Sequence, residues 1–167
     1  MPVGFKSIAP RMMETDAILG GEESGGYAIR GHIPERDGIL CGLFFADMVM
    51  REGRPLSAIL RALEAEIGVH AYARHDIHLP RDTYEVQRHR VLDRLAANAP
   101  EVIAGVGVER VRDDDGYKFL LRDGSWVMLR ASGTEPLIRV YAEAGSPEAV
   151  QERLLALEHI VGIRPEG

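Results

Sequence analysis

Cysteine is almost absent from this sequence. A single one, Cys41, occurs in 167 residues. That excludes an internal disulfide framework and any zinc site built from several cysteines. Long apolar runs are missing too. The longest, Ile39 to Met50, is interrupted by Asp47, and a bilayer span needs roughly 18 or more apolar residues. The N-terminal residues Met1-Pro2-Val3-Gly4-Phe5-Lys6 lack the charged-then-apolar order of a signal peptide. There is no basic excess either: 20 Lys and Arg stand against 26 Asp and Glu, a formal net charge of −6. A dedicated nucleic-acid binder would normally carry a basic face. Lysine is nearly as scarce as cysteine, with only Lys6 and Lys118. Arginine is the ordinary cation here, so a lone arginine says little and a lysine says more. These absences lead us to expect a soluble protein of a reducing, cytoplasmic compartment.

What is present is ordinary globular material. Apolar residues make up 46% and charged residues 28%, enough for a core and too balanced for a disordered polyelectrolyte. The length suits one domain or two small ones. Ala17 to Gly21 is an apolar run stopped by glycines and reads as a short buried strand. Residues 37 to 52 read as a helix with Asp37 as its N-cap. Its apolar residues cover so much of the circumference that burial is expected. A second helix begins at Pro55 and Leu56 and ends at Gly68. The composition changes near residue 70. Ala73 to Leu79 could be a strand, and 82 to 98 a helix with Tyr84, Val91, Leu92 and Leu95 toward the core. Val106–Arg112, Tyr117–Leu121, Trp126–Leu129 and Leu137–Ala144 read as strands, the first three joined by Asp-Gly turns. A last helix opens at Pro147, with Val150, Leu154, Leu157 and Val161 on one face. The order β-α-β-β-β-β-α predicts an α+β domain, an antiparallel sheet with two helices on one face. The first half supplies two apolar helices but hardly any sheet for them to cover. The chain is therefore expected to be the C-terminal part of something longer.

Two loops carry possible chemistry. Gly20-Gly21-Glu22-Glu23-Ser24-Gly25-Gly26 puts carboxylates and a hydroxyl on a glycine-rich turn, a set that can grip sugar hydroxyls. A solvated turn is the plainer alternative. Arg130-Ala131-Ser132-Gly133-Thr134-Glu135-Pro136 brings an arginine fork, two hydroxyls and glycine-freed amides together between strands, as a phosphate nest does. Lys6 could contact phosphate or move a proton, or it could be a surface lysine. Asp113 to Asp115 reads as a solvated turn. His75 and His78 would point to opposite faces of a strand and so are poor metal partners. Cys41 reads as core. His32 reads equally as a site residue or as a structural one.

Taken together and in this order, the two loops resemble the C-terminal part of the α-D-phosphohexomutases, the phosphoglucomutase and phosphomannomutase family. Gly21-Glu22-Glu23-Ser24-Gly25 is similar to the family's sugar-binding loop in its third domain. Arg130 to Pro136 is similar to the phosphate-binding loop of its fourth. Val3-Gly4-Phe5-Lys6 is similar to the strand that carries a lysine near the substrate, and His32 to Gly38 to the lead into a helix. The resemblance implies that 1–69 is the end of an α/β third domain and 70–167 a TATA-binding-protein-like fourth domain, with some motion about residues 68–72. It implies that Glu22 and Ser24 hold ring hydroxyls, and that Arg130, Ser132, Gly133 and Thr134 hold the phosphate not being transferred. Lys6 would be a substrate contact and candidate general acid or base, with Arg139 a lesser candidate. The implied reaction exchanges phosphate between O1 and O6 of a hexose phosphate, through a phosphoserine enzyme, Mg2+ and a glucose 1,6-bisphosphate-type intermediate. The family's serine loop and its aspartate loop for magnesium have no counterpart here. The chain alone is therefore expected to be inactive, with domains 1 and 2 and the start of domain 3 as missing partners. Its apolar helix is expected to promote a dimer. A non-catalytic sugar-phosphate-binding regulatory module is the alternative.

Overall fold

A computed structural model describes residues 4–163, and they divide into two units by their internal contacts, with the division at Glu66/Ile67. In the first unit, helix α1 (Phe5–Thr15) precedes a two-stranded antiparallel hairpin, β1 (Leu19–Gly21) and β2 (Tyr27–Ile29). The strand expected around Phe5-Lys6 is a helix instead; Val3 lies outside the described residues. Phe5, Ile8, Ala9 and Met12 recur at helical spacing, and they form one small cluster with Ala17 and Ala28. Lys6 sits in the first turn of α1, exposed. Helix α2 (Gly38–Glu52) is capped as expected: Asp37 Oδ1 accepts from the Ile39 and Leu40 amides at 3.0 and 2.9 Å. His32 holds that cap through Asp37 Oδ2, at 2.8 Å. These hydrogen bonds, from the Leu40 amide first and then from His32, hold the Asp37 carboxyl below its ordinary range. α2 ends at Gly53, which is left-handed (φ 62°). Helix α3 (Leu56–Ile67) follows.

Neither α2 nor α3 contains a buried residue, which corrects the expected burial. Ile39 is 82% and Met50 81% exposed, and Leu43, Phe44, Phe45, Leu60 and Leu63 are also open. The reason is geometric: a two-stranded hairpin offers too little surface to cover two apolar helices.

The second unit is a six-stranded antiparallel sheet in the order β3-β8-β7-β6-β5-β4. The strands are β3 (Ala71–His78), β4 (Val102–Ile103), β5 (Val106–Arg112), β6 (Tyr117–Leu121), β7 (Trp126–Ala131) and β8 (Leu137–Ala144), with helices α4 (Tyr84–Ala97) and α5 (Pro147–Val161) between and after them. The predicted order holds, with one short extra strand, β4. Alternation sorts the strand residues. Ile77, Phe119, Leu121, Val127, Leu129, Ile138, Val140 and Ala142 share one core with Tyr84, Val91 and Leu95 of α4 and Val150, Leu154, Leu157 and Val161 of α5. Each fully buried side chain of this kind contributes roughly 1.5–3 kcal/mol. His75 points to the same side and meets the buried Glu158 of α5 at 2.6 Å. The opposite face carries Arg74, Asp76, Lys118, Trp126, Arg130, Arg139 and Glu143. There Lys118 Nζ lies 3.5 Å from the Trp126 ring centroid. Among the described residues no helix is long and apolar enough to cross a membrane.

One polar network is built into this unit. Arg153 of α5, with its side chain only 7% exposed, donates to Asp123 Oδ2 at 2.6 Å, Ser125 Oγ at 2.9 Å and its own helix carbonyl at Ala149. It anchors the β6–β7 turn to the helix. Arg153→Ala leaves a half-exposed carboxylate and a buried hydroxyl short of partners. We expect a loss of about 2–3 kcal/mol in urea unfolding, because removing one partner of a buried network costs more than the network contributes. Burial pushes the Asp123 carboxyl up, but hydrogen bonds from Ser125 and Arg153 outweigh it and the net shift is downward. A depressed carboxyl contributes stability above its unfolded value near pH 3.9 and loses it as pH falls through the folded value. Arg153→Ala should therefore narrow its gap to the unsubstituted protein as pH falls below about 4. A gap constant down to pH 2 would contradict the network.

Candidate functional site

The glycine-rich loop of the first unit, residues 22–26, joins β1 to β2. It is closed by Glu22 N–H to Gly26 O at 2.9 Å and Gly25 N–H to Glu22 O at 3.1 Å. Gly25 has φ +85°, a conformation that glycine adopts readily. Gly20, Gly21 and Gly26 are needed for a different reason. A Cβ on Gly20 would strike the Met12 side chain, one on Gly21 the Tyr27 ring, and one on Gly26 the Arg36 side chain. The space freed at Gly26 lets Arg36 cross the loop. Its Nη1 donates to Glu22 Oε2 at 2.9 Å, and its guanidinium carbon stands 5.7 Å from the Phe5 ring centroid. Glu22 is thereby fixed, with its side chain 10% exposed, while Ser24 stays in solvent with its Oγ 3.5 Å from Glu22 Oε2. Cys41 is half-buried, its Sγ donating toward Tyr27 O at 3.7 Å.

The second loop, residues 132–136, joins β7 to β8. Buried Ser132 turns its Oγ inward, where it accepts from the Thr134 and Glu135 amides at 3.3 and 3.1 Å. Ser132 N–H reaches Leu137 O at 3.0 Å, and Leu79 N–H reaches Pro136 O at 2.9 Å. The Gly133 N–H takes no acceptor among the described residues. Behind the loop stands Tyr84 of α4, whose hydroxyl donates to Ser132 O and lies 3.2 Å from Leu137 O. Burial pushes that hydroxyl up, away from ionisation. Tyr84 was legible only as a core residue; its hydroxyl ties the loop to the helix. Beside the loop opens a cavity of about 190 Å³, with Gly133 to Pro136 on one side and Arg81, Tyr84 and Glu85 on the other.

Arg130 points from the opposite face of the sheet. Its Nε donates to Asp115 Oδ1 at 3.2 Å, and its side chain is about a quarter exposed. Burial pulls the guanidinium down, yet Asp115 and Tyr141 outweigh it and hold the proton more firmly. The Asp113–Asp115 turn is thus more than a solvated turn. Asp114 pairs with Arg112 at 2.7 Å, and Asp115 orients Arg130 from behind. Gly116 lets this turn lie flat on β7: at φ +89°, its missing Cβ would collide with Leu129 O. Nothing in the sequence spacing announced that contact, since it depends on which face of β7 the turn folds over. Arg139, opposite Arg130 in the β7–β8 register, reaches Glu135 at 3.3 Å and lies 3.8 Å from Asp76. Lys6 makes no hydrogen bond or ion pair with another described residue. Among the described residues no group of three or more His, Cys, Asp or Glu side chains comes together as a metal site requires. They supply no ligand set for the magnesium that the resemblance implies.

An antiparallel sheet backed by two helices makes the second unit an α+β domain, and the β7–β8 loop is pinned by its own hydroxyl and amides. Comparison with known proteins makes this specific. The family model for phosphoglucomutase/phosphomannomutase, alpha/beta/alpha domain III, matches residues 1–67, and that for the phosphoglucomutase/phosphomannomutase C-terminal domain matches 85–158. Between them they cover most of the chain, which belongs to the phosphoglucomutase/phosphomannomutase family. A phosphoglucomutase/phosphomannomutase of Thermococcus kodakarensis is 30% identical over 91% of the chain and 30% of its own length. A phosphoglucosamine mutase of Heliobacterium modesticaldum is 30% identical over 95% of the chain and 29% of its own. Among solved structures, a Thermus thermophilus protein named as a phosphomannomutase superposes with a TM-score of 0.71 at 35% identity, over 97% of this chain and 30% of that one. The chain spans about 30% of the length of the relatives it matches.

The Tyr84 hydroxyl is the lock on the second loop. Tyr84→Phe leaves the Ser132 carbonyl short of a donor, while Leu137 O keeps the Ser132 N–H, and should cost about 1–3 kcal/mol. It should also speed amide hydrogen exchange at residues 133–135. Unchanged exchange there would show that the loop holds itself.

Proposed function

We propose that this chain is the substrate-recognition part of a phosphohexomutase that interconverts hexose 1-phosphate and hexose 6-phosphate. Residues 1–69 belong to its third domain and 70–167 to its fourth. In this reading Arg130, Ser132, Gly133 and Thr134 hold the phosphate that is not being transferred, and Glu22 and Ser24 hold ring hydroxyls. Lys6 serves as a substrate contact with a role in proton transfer, and Arg139 is an auxiliary cation. The donor phosphoserine and the magnesium come from other parts of the enzyme, so these residues alone do not turn over glucose 1-phosphate. The observation that carries the reading is the Ser132–Glu135 turn. Ser132 Oγ accepts from two amides of the turn, so its own O–H, the Gly133 amide and the Thr134 hydroxyl remain for a ligand. An anion accepts from such donors, and charge makes those hydrogen bonds stronger than neutral ones. The Glu22 carboxylate, fixed by Arg36, keeps Oε1 for a ligand hydroxyl.

An amide-resolved NMR titration tests this. Inorganic phosphate should shift resonances at residues 132–135, and glucose 1-phosphate should add shifts at 22–25. Thr134→Val, which removes one hydroxyl, should weaken phosphate binding by up to about tenfold, as a hydrogen bond to a charged group contributes about 1.5 kcal/mol. Silence at both loops would defeat the reading.

The same reading bears on α2 and α3. Their open apolar faces favour association in water, and we propose that the chain self-associates through them. Sedimentation at rising concentration should show a dimer or larger species. A monomer at several hundred micromolar, or a dimer untouched by Leu43→Glu with Phe44→Glu, would count against it.

A further inference from the structure

We propose that Arg81, on the turn between β3 and α4, is an additional phosphate-binding residue, closing on the ligand from the cavity beside the loop. The inference rests on reading Ser132–Glu135 as a phosphate loop, and it adds a residue which that reading did not contain. Arg81 and the loop residues Gly133 to Pro136 line one cavity. They are brought there by the β3–β8 pairing and by the Leu79 N–H to Pro136 O hydrogen bond that ends it.

Charge accounting within the cavity singles out Arg81. Two carboxylates also line it, and both are already paired outside it: Glu85 accepts from Arg88 at 3.1 Å, and Glu135 from Arg139 at 3.3 Å. Arg81 is exposed and makes no hydrogen bond or ion pair with another described residue. It is the lining cation whose five N–H donors remain uncommitted. Arg130 is different: its Nε is held by Asp115 on the other face of the sheet. A phosphate monoester in this cavity would therefore meet Arg81 as its one lining cation, a side chain free to swing. A planar fork on a long side chain suits a ligand that must enter and leave, because it can form two hydrogen bonds without the loop moving.

The test uses the full chain, labelled with 15N and titrated with inorganic phosphate and then with glucose 1-phosphate at constant low ionic strength. The variants are Arg81→Ala, Arg81→Lys and Thr134→Val, with Arg90→Ala as a control for general charge. Arg90 is another exposed arginine that does not line the cavity. Arg81→Ala should weaken phosphate binding about fivefold, the scale of an exposed but well-oriented ion pair. Arg81→Lys should recover part of that loss, and Arg90→Ala should match the unsubstituted chain. The exposure of Arg81 predicts an unperturbed amide spectrum for its variants. If Arg81→Ala binds as the unsubstituted chain does while Thr134→Val binds weakly, the inference is overturned and the loop reading stands. If Arg81→Ala and Arg90→Ala weaken binding equally, the effect is net charge and the inference is overturned. If the unsubstituted chain shows no response at 132–135, the loop reading fails and Arg81 fails with it.

Discussion

The second unit depends on one pairing, that of β3 with β8. Eight residues from Ala71 to His78 run against Ala144 to Leu137 without a break in register. The partners are far apart in sequence, so closing this loop costs entropy that only the burial of a shared core repays. Its consequences reach the site. It delivers His75 to Glu158 and Ile77 to the core, and it sets Leu79 against Pro136. The turn after β3 then lies beside the β7–β8 loop, and α4 starts where the Tyr84 hydroxyl can reach the carbonyls of Ser132 and Leu137 at its two ends. A one-residue slip would turn His75 and Ile77 to the outer face and remove both contacts.

The first unit solves its local problem by subtraction. Its loop is shaped less by unusual backbone angles than by room. Three glycines stand where side chains of Met12, Tyr27 and Arg36 pass. Arg36 uses that room to fix Glu22, and Asp37 beside it caps α2. One short segment thus serves both the loop and the helix start. The apolar faces of α2 and α3 have no comparable solution within the unit, which is why their residues stay open to water.

The strands and helices of the second unit were legible because period and punctuation agree there. Asp-Gly turns separate alternating runs, and Pro147 with Ser146 marks the start of α5, whose Ser146 Oγ accepts from the Ala149 amide at 3.2 Å. Three features were not legible, each for a physical reason. Phe5-Lys6 read as strand from similarity, while the Phe5/Met12 spacing over two turns decided for helix. The burial of α2 was inferred from its own composition, but burial is a property of what covers a helix. The roles of Asp115 and the Tyr84 hydroxyl depend on three-dimensional neighbours, Arg130 and Ser132, at sequence separations of 15 and 48. Local periodicity carries no information at that range. The two loops were legible as strings, and the structure adds what holds each of them in shape.

A chain of net charge −6 can still offer an anion site, because screening confines charges to their neighbourhood, about 8 Å at physiological salt. What counts is the pairing within that radius. Around the second loop the acids are spent on orienting arginines: Asp115 on Arg130, Glu135 on Arg139, and Glu85 on Arg88. Each such pair is only partly shielded from water and contributes little to stability by itself. Its effect is directional. A guanidinium held at Nε by a carboxylate still presents its terminal nitrogens, now in a fixed plane, and gives up less side-chain freedom when a ligand arrives. The acidity of the chain is therefore compatible with the anion site proposed at this loop: Asp115 holds Arg130 at Nε, while Glu135 and Glu85 are spent on terminal nitrogens of Arg139 and Arg88.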